Sequence, residues 1–559
     1  VADGAWTTAL PDWERRVVAG ESLIPFAPLF PAEADSALAV LDELRVVDMP
    51  EQPRFGEIAR PWVREFAASV FGAYDPDAGR RLVREWFLLI SKKNSKSTTA
   101  GLLMLTFLIR NWRHAGEFGI LAPTVEVANN AFKPAADAVK ADDELRELLH
   151  VQDHIRTITH RGTKAKLQVV AADSETIAGK KWIVTLVDEL WLFGKWPRAE
   201  DMLREAIGGL ASRPEGCVIW LTTQSSDPPA GVFRQKLQYA RSVRDGAVKD
   251  PQFCPVLYEF PPTMVEAKAH RDPAKFYVTN PNLGASVDVE FLEREFAKAE
   301  VAGEESMRGF LAKHLNIEIG LALMSDRWAG ANFWEQQGSA DLTLDQLLAR
   351  CEVVTIGIDG GGLDDLLGLS VIGRDAQTHA WLAWSHAWAH PSVVQQRASE
   401  ASRFRDFERD GDLTFVDRIG DDVVQVVAIC QRIHEAGLLD KIGVDPHGLG
   451  GILDALVEAS IPQDAVIGIP QGWKLQSAIK TVERKLASGE LHHGGSALMS
   501  WCVGNAKVEP RGNAVMITKQ AAGYAKIDPL MALFDAAALM SLNPAPADLA
   551  PFLGDPIIA

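Results

Sequence analysis

The sequence predicts a two-domain α/β protein. The first sheet is expected to be mostly parallel, and the second opens as an antiparallel meander. Three observations carry this expectation. The chain has 559 residues, too many for one ordinary hydrophobic core. Between residues 86 and 226, apolar runs of strand length alternate with helical patterns, as in βαβ units. From residue 353, three apolar runs follow one another closely, which is the spacing of a meander. A hydrophobic content of 47% and a charged content of 24% fit a folded globular chain.

Taken in order, residues 1–85 read as a helical lead-in. Trp62, Phe66, Val70 and Phe71 fall near helical spacing, placed either to cover a ligand or to pack on the first strand. Residues 86–335 form the first domain. Trp86, Phe87, Leu88, Leu89 and Ile90 predict a buried strand, followed by a polar loop and a helix carrying Leu102, Leu103, Leu105, Phe107 and Leu108. Residues 118–132 predict strand, turn at Pro123-Thr124, then helix. Residues 154–160 and 166–172 predict a hairpin turning at Arg161-Gly162. Trp182 to Val187 lead into Asp188-Glu189, and the run from Cys217 ends in Thr222-Thr223-Gln224. Residues 285–320 are helical in pattern. The connection falls within 320–350, with 336–350 as linker and Trp328 and Trp334 docking it. The second domain, 351–543, has strands expected at 353–362, 366–375, 379–388, 413–419 and 441–448. The Pro- and Ala-rich stretch 544–559 reads as a flexible tail.

Bulk properties exclude several classes. No apolar run reaches the roughly 18–20 residues of a membrane span, so no membrane association is expected. The first residues show no basic, signal-like region. The five cysteines are widely separated, forming neither a metal-spaced pair nor a disulfide framework, as suits a reducing cytosol. A net charge of −18 argues against a simple nucleic-acid coat, though not against DNA gripped in a local groove.

The loop at Lys92-Lys93-Asn94-Ser95-Lys96-Ser97-Thr98 resembles a phosphate loop between strand and helix. There, backbone N–H groups and a helix N-terminus face an anion, a lysine reaches the outer phosphates, and a hydroxyl holds Mg²⁺. Ser95 and Ile90 stand where glycines are usual, so a polar turn with a lysine cluster is the alternative. Asp188-Glu189 supplies the matching acids: Asp188 to hold Mg²⁺, Glu189 to orient or deprotonate water. Thr222, Thr223 and Gln224 at a neighbouring strand end are candidate γ-phosphate sensors, or simply a polar strand end. A second set of acids comprises Asp359 and Asp445, each closing an apolar run, and Asp528 in KIDPLMALFDAA. Such carboxylates, with Asp535 two helical turns beyond Asp528 as a further candidate, suit a pair of Mg²⁺ or Mn²⁺ ions that activate water and stabilise a leaving oxygen. Asp528 before Pro529 also fits a helix N-cap. Lys480, Arg484, Lys485 and Lys519 are candidates for phosphate contact or a solvated face, and His492-His493 reads as structural.

Together, SKKNSKS, the Ala122–Thr124 turn, LVDELWLF, LTTQS, GIDGGGLDD, IGVDP, PQGWKLQSAIKTVERKLASGELHHGG, WCVGNAK and AKIDPLMALFDAA make the chain similar to the large terminase subunits of tailed double-stranded DNA phages, in the HK97-like group. The resemblance spans roughly residues 50–540. It implies an ASCE-type P-loop ATPase followed by an RNase H-like nuclease. Lys96 and Ser97 match Walker A, Asp188 and Glu189 match Walker B, and Thr222 to Gln224 match the coupling motif. Asp359, Asp445 and Asp528 match the nuclease acids, and Asp365 matches an acid that often follows the first strand. It also implies ATP with Mg²⁺, double-stranded DNA, a portal protein, a small terminase subunit and a ring of copies on the portal. The place of action would be the host cytoplasm, outside the mature virion. Relatives usually carry Gly at the Ser95 position, often Arg at the Lys92 position, and often Gln after the Pro-Trp of the lead-in, here followed by Val63. A helicase-like or repair ATPase whose second domain binds DNA without cutting it is the alternative. A non-catalytic assembly protein with a decayed loop is the third reading.

Overall fold

The computed structural model describes residues 6–546 apart from 173–179, 197, 321–327, 398–399, 446–449, 512–513 and 518–525. The chain forms two compact units, Val1–Ile319 and Gly320–Ala559.

The first unit is built on an eight-stranded sheet. Its strands are β1 (Glu85–Leu89), β2 (Glu117–Ala122), β3 (Leu149–Gln152), β4 (Thr157–His160), β5 (Lys166–Ala171), β6 (Trp182–Val187), β7 (Cys217–Thr222) and β8 (Phe253–Leu257). They lie in the order β8-β1-β7-β6-β2-β5-β4-β3. All pairings from β8 to β5 are parallel, and β4 and β3 add an antiparallel edge. Among β1, β2, β6, β7 and β8 the order is 5-1-4-3-2, that of an ASCE-type P-loop sheet. Helices cover both faces, so β6, β7 and β8 are buried at every position and read as unbroken apolar runs.

The sequence reading omitted β8. Its Pro255 argues against a central strand, and the structure places it at the sheet edge, where the missing donor is tolerated. The expected hairpin forms from β4 and β5, but 153–155 is a 3₁₀ turn rather than strand. Helix α1 (Pro61–Gly72) packs Phe66 edge-on against Trp86, with ring centroids 5.8 Å apart. The other helices near the candidate site are α2 (Lys96–Ile109), α3 (Val125–Lys140), α4 (Val289–Ala302) and α5 (Glu304–Leu315).

The second unit holds β9 (Cys351–Gly360), β10 (Leu366–Asp375), β11 (Trp381–Ala389), β12 (Leu413–Phe415), β13 (Leu439–Val444), β14 (Val466–Gly468) and β15 (Leu491–His493). The order is β12-β11-β10-β9-β13-β14, with β15 also on β11. Strands β9 to β11 are the antiparallel meander, and β13 runs parallel to β9. For β9, β10, β11, β13 and β14 this is the 3-2-1-4-5 order of an RNase H-like mixed sheet. Strand β12 stops at Phe415, short of the expected 419. Beyond helix α7 (Gln476–Ser488), helix α8 (Asp528–Met540) crosses the sheet so closely that a Cβ on Gly357 would stand 1.9 Å from Ala532 O. Thr355 Oγ1 donates to Ala536 O at 2.9 Å, and Ser370 Oγ to Pro529 O at 2.8 Å.

The expected linker at 336–350 is corrected. Residues Leu344–Arg350 are helix α6, whose Leu344 and Leu347 join Val354 and Ile356 in the second unit's core. Trp328 and Trp334 are likewise buried in that unit. Apolar side chains therefore anchor this stretch, and the boundary falls at Ile319. Of the expected tail, 547–559 lies outside the described residues, as do Lys519 and the end of the expected strand at 441–448. Among the described residues no helix is long and apolar enough to cross a membrane. All five cysteines are buried and unpaired.

Candidate functional site

Strand β1 delivers the chain to a loop at Ser91–Ser95, and α2 begins at Lys96. Two loop residues take left-handed backbone without being glycine: Lys93 at φ +70° and Ser95 at φ +58°. The latter explains why glycine is usual there, since a Cβ strains that conformation. The loop is held from beneath. Asn94 is fully buried; its amide donates to Ser91 O at 3.1 Å and to Asn280 Oδ1 at 2.8 Å, and its Oδ1 accepts from Asn282 N at 3.0 Å. Trp62 Nε1 donates to Asn282 Oδ1 at 2.7 Å, and Ser286 Oγ to Lys93 O at 2.7 Å.

The structure joins this loop to the end of β6. Ser97 Oγ donates to Asp188 Oδ2 at 3.0 Å, and Lys96 Nζ is 3.8 Å from Asp188 Oδ1 and paired with Glu189. Glu189 also takes left-handed backbone, at φ +55°, and accepts from Trp191 Nε1. Burial alone pulls Lys96 down, but the Asp188 and Glu189 charges outweigh it and raise its pKa. Burial raises Asp188 despite Lys96, whereas at Glu189 the Lys96 charge overcomes burial and lowers the pKa. Beside these groups lies a cavity of about 770 Å³ lined in part by Lys92, Lys93, Ser95, Lys96, Ser97, Thr98, Lys133, Glu189 and Trp191. Its size is that of a small-molecule site, and its lysines suit an anion. The Ser97 hydroxyl and Asp188 carboxylate form a hard-oxygen pair that fits Mg²⁺.

Other expected contacts fall differently. Asn94 faces inward rather than lining the cavity, because its amide is used up beneath the loop. Thr222, Thr223 and Gln224 are fully buried. Thr222 Oγ1 accepts from Trp191 N at 3.1 Å, and Gln224 O accepts from Lys313 Nζ at 2.6 Å. Asn280, Asn282, Trp191 and Lys313 were absent from the expected set. The Asn-Pro-Asn at 280–282 signals only a turn, and nothing in its spacing points to a partner 188 residues away.

In the second unit, β9 pairs with β13 in register Ile358 to Val444, so Asp359 and Asp445 follow at adjacent strand ends. Asp359 is buried and Asp445 half-buried. Gly360, at φ +90°, lets α8 approach; a Cβ there would stand 3.0 Å from Asp528 Oδ1 and 2.1 Å from Leu366 O. Asp528 is the first residue of α8, not its cap, which is Ile527. Asp365 pairs with the buried Lys526 at 2.5 Å, and Asp535 Oδ1 accepts from Gln471 Nε2 at 2.9 Å. Asp528 thus comes up against Gly360, the residue after Asp359 in the chain. Among the described residues, however, no group of three or more His, Cys, Asp or Glu stands together as a metal cluster. Asp445 leads directly into 446–449, outside the described residues. The all-oxygen donor set suits Mg²⁺ or Mn²⁺. His493 is stacked on Trp334 at 3.8 Å and bonded to its carbonyl, a structural role.

A family model described as the terminase large subunit, endonuclease domain, matches residues 250–541. The chain is 23% identical over 331 residues to Protein YmfN of Escherichia coli (strain K12), covering 56% of this chain and 69% of that protein. It is similar to the HK97 bacteriophage large terminase at 18% identity and TM-score 0.46, covering 90% of this chain and 99% of the other. For the large terminase of a thermophilic bacteriophage the values are 12% and 0.30, with 83% and 95% covered.

Proposed function

Because the chain belongs to the terminase large-subunit family, we propose that it is a phage DNA-packaging motor subunit that hydrolyses ATP to move double-stranded DNA and cuts that DNA with a metal-dependent endonuclease. The observation that carries the first half is the meeting of Lys96 and Ser97 with Asp188 and Glu189 at the carboxyl ends of β1 and β6, the edge where open parallel sheets bind ligands.

In this reading ATP lies in the cavity beside α2. Lys96 turns from Glu189 to the outer phosphate oxygens, and Ser97 and Asp188 hold Mg²⁺. Mg²⁺, when bound, neutralises phosphate charge. Glu189, released from Lys96, positions the attacking water and takes its proton as the bond from the γ-phosphorus to the bridging oxygen breaks and ADP leaves. In the second unit Asp359, Asp445 and Asp528 hold Mg²⁺ or Mn²⁺, which would activate water against a phosphodiester. DNA, the portal protein, the small terminase subunit and neighbouring copies in a ring are the partners, and the host cytoplasm is the place of action.

Two of the candidate acids are already engaged, Asp365 by Lys526 and Asp535 by Gln471. That favours one second reading: a helicase-like or repair ATPase whose second unit binds DNA without cutting it. Two assays on the full chain separate these. DNA-stimulated ATP hydrolysis that Lys96→Ala abolishes supports the motor, and hydrolysis unaffected by Lys96→Ala removes the ATP site from this loop. Plasmid cleavage in Mg²⁺ or Mn²⁺ that Asp359→Ala abolishes supports the nuclease. Wild-type protein that hydrolyses ATP but cuts nothing in either metal supports the second reading.

A further inference from the structure

The residue behind Glu189 is Trp191, and behind Trp191 is Lys313. Trp191 lines the cavity, and its indole N–H is bonded to Glu189. Lys313 does not line that cavity. Its Nζ sits 3.0 Å from the centroid of the Trp191 ring and donates to Gln224 O at 2.6 Å. The lysine is buried, 8% exposed. Burial pulls the amine down to about 6, so Lys313 holds the ring and the carbonyl through its N–H groups rather than through a fixed charge. Such a group is costly to bury, so its position is a constraint on what surrounds it rather than a source of stability.

The same helix end is tied to the loop on its other side. Lys313 O, in the last turn of α5, accepts from Lys92 N at 2.8 Å. His314 O accepts from Asn280 Nδ2 at 2.8 Å. Asn316, which ends the helix in left-handed backbone, accepts from Gln224 N at 3.2 Å and donates to Tyr258 O at 3.0 Å. The C-terminus of α5 therefore touches the phosphate loop, the end of β7 and, through one side chain, the tryptophan that holds Glu189.

We propose that Lys313 is a positioning residue: by fixing the Trp191 ring it sets the orientation of the Glu189 carboxylate, and it links that orientation to Gln224 and to α5. The proposal rests on the ATP-site reading above. Lys313 lies outside the cavity lining. It acts through Trp191, which in turn selects between the Glu189 pairing with Lys96 seen here and the released carboxylate that water activation requires. When Glu189 turns, the indole N–H loses its acceptor, the ring shifts, and Lys313 Nζ and the Gln224 carbonyl move with it.

The test uses the full chain with DNA and measures ADP affinity by calorimetry and single-turnover ATP hydrolysis separately. Lys313→Met keeps the stem and removes the N–H donors. Trp191→Phe keeps a ring and removes the N–H. Lys313→Met is expected to leave ADP affinity within about twofold, and both variants to lower the hydrolysis rate by about tenfold or more. The double variant should be no slower than the worse single variant, because both act on one carboxylate. Lys313→Arg, which keeps N–H donors over the ring, should restore part of the rate. Wild-type hydrolysis in Lys313→Met, or fully multiplicative losses in the double variant, overturns the proposal. If Lys313→Met fails to fold, Trp191→Phe decides alone: an unchanged hydrolysis rate refutes the link from Trp191 to Glu189. Failure of the underlying reading looks different, since wild-type protein would then bind no ADP.

Discussion

The Ser97 hydroxyl donates to the Asp188 carboxylate at 3.0 Å, joining the first turn of α2 to the end of β6. Beside this contact, Lys96 pairs with Glu189. These two side-by-side contacts place a hydroxyl and a carboxylate together for a hard cation, and an ammonium and a carboxylate together for exchange with phosphate.

Ser97→Ala and Asp188→Asn should therefore weaken nucleotide binding only when metal is present. The expected loss is about tenfold or more in Mg²⁺-ADP affinity, comparable to removing a metal-site partner. Titration of ADP with Mg²⁺ and with EDTA measures both. Equal losses in the two conditions would show that these side chains hold the loop rather than the ion.

Ser95 tests backbone strain. At φ +58° it carries a Cβ in the left-handed region. Ser95→Gly removes that strain but loosens the unfolded chain, so the net gain is up to about 1 kcal/mol. Ser95→Val should cost about 1–3 kcal/mol, because a branched side chain tolerates this region least. Thermal melts give the order Gly, Ser, Val. A valine variant as stable as wild type would contradict the left-handed backbone.

Gly357 tests the seating of α8. A methyl there would meet Ala532 O at 1.9 Å, a contact no rotamer relieves. Gly357→Ala should cost about 1–3 kcal/mol in the second unit and displace Asp528 with the helix. DNA cleavage should fall while DNA-independent ATP hydrolysis persists, since the first unit has its own core. Undiminished cleavage would place Asp528 outside the cutting site.

His493 predicts acid lability. Its Nε2 donates to Trp334 O and its Nδ1 accepts from Gly495 N, so both ring nitrogens are satisfied only in the neutral form. Burial pulls its pKa from 6.5 down to about 4. The unfolded chain takes up this proton first as pH falls. The stability is thus complete above about pH 6.5 and lost as pH falls toward 4, by up to about 3 kcal/mol. Urea melts across that window should steepen for wild type and flatten for His493→Asn. Equal slopes would remove His493 as the cause.

Much of this was legible because buried parallel strands announce themselves. The runs ending at Asp188-Glu189 and Thr222 are apolar at nearly every position, since both faces of the sheet are covered, and polar residues begin where the strand leaves it. The antiparallel meander was readable because its three strands are apolar runs joined by short connections. Strand β8 was not, because Pro255 is a breaker unless the strand lies at an edge, and edge position belongs to the sheet rather than the segment. The unit boundary was misplaced because Leu344 and Leu347 are anchored by strands that follow them.

The sequence by itself determined the two α/β sheets, most of their main strands and the chemical types at their carboxyl ends, because hydrophobic period and strand termini are local properties. Only the tertiary structure decided which side chains meet. It turned Asn94 beneath the loop to Asn280, set Lys313 behind Trp191, paired Asp365 with Lys526, and brought Asp528 to Gly360 by laying α8 across a sheet that lacks a side chain at Gly357. Each of these contacts joins segments far apart in the chain, and no local period encodes a distance between two separate elements.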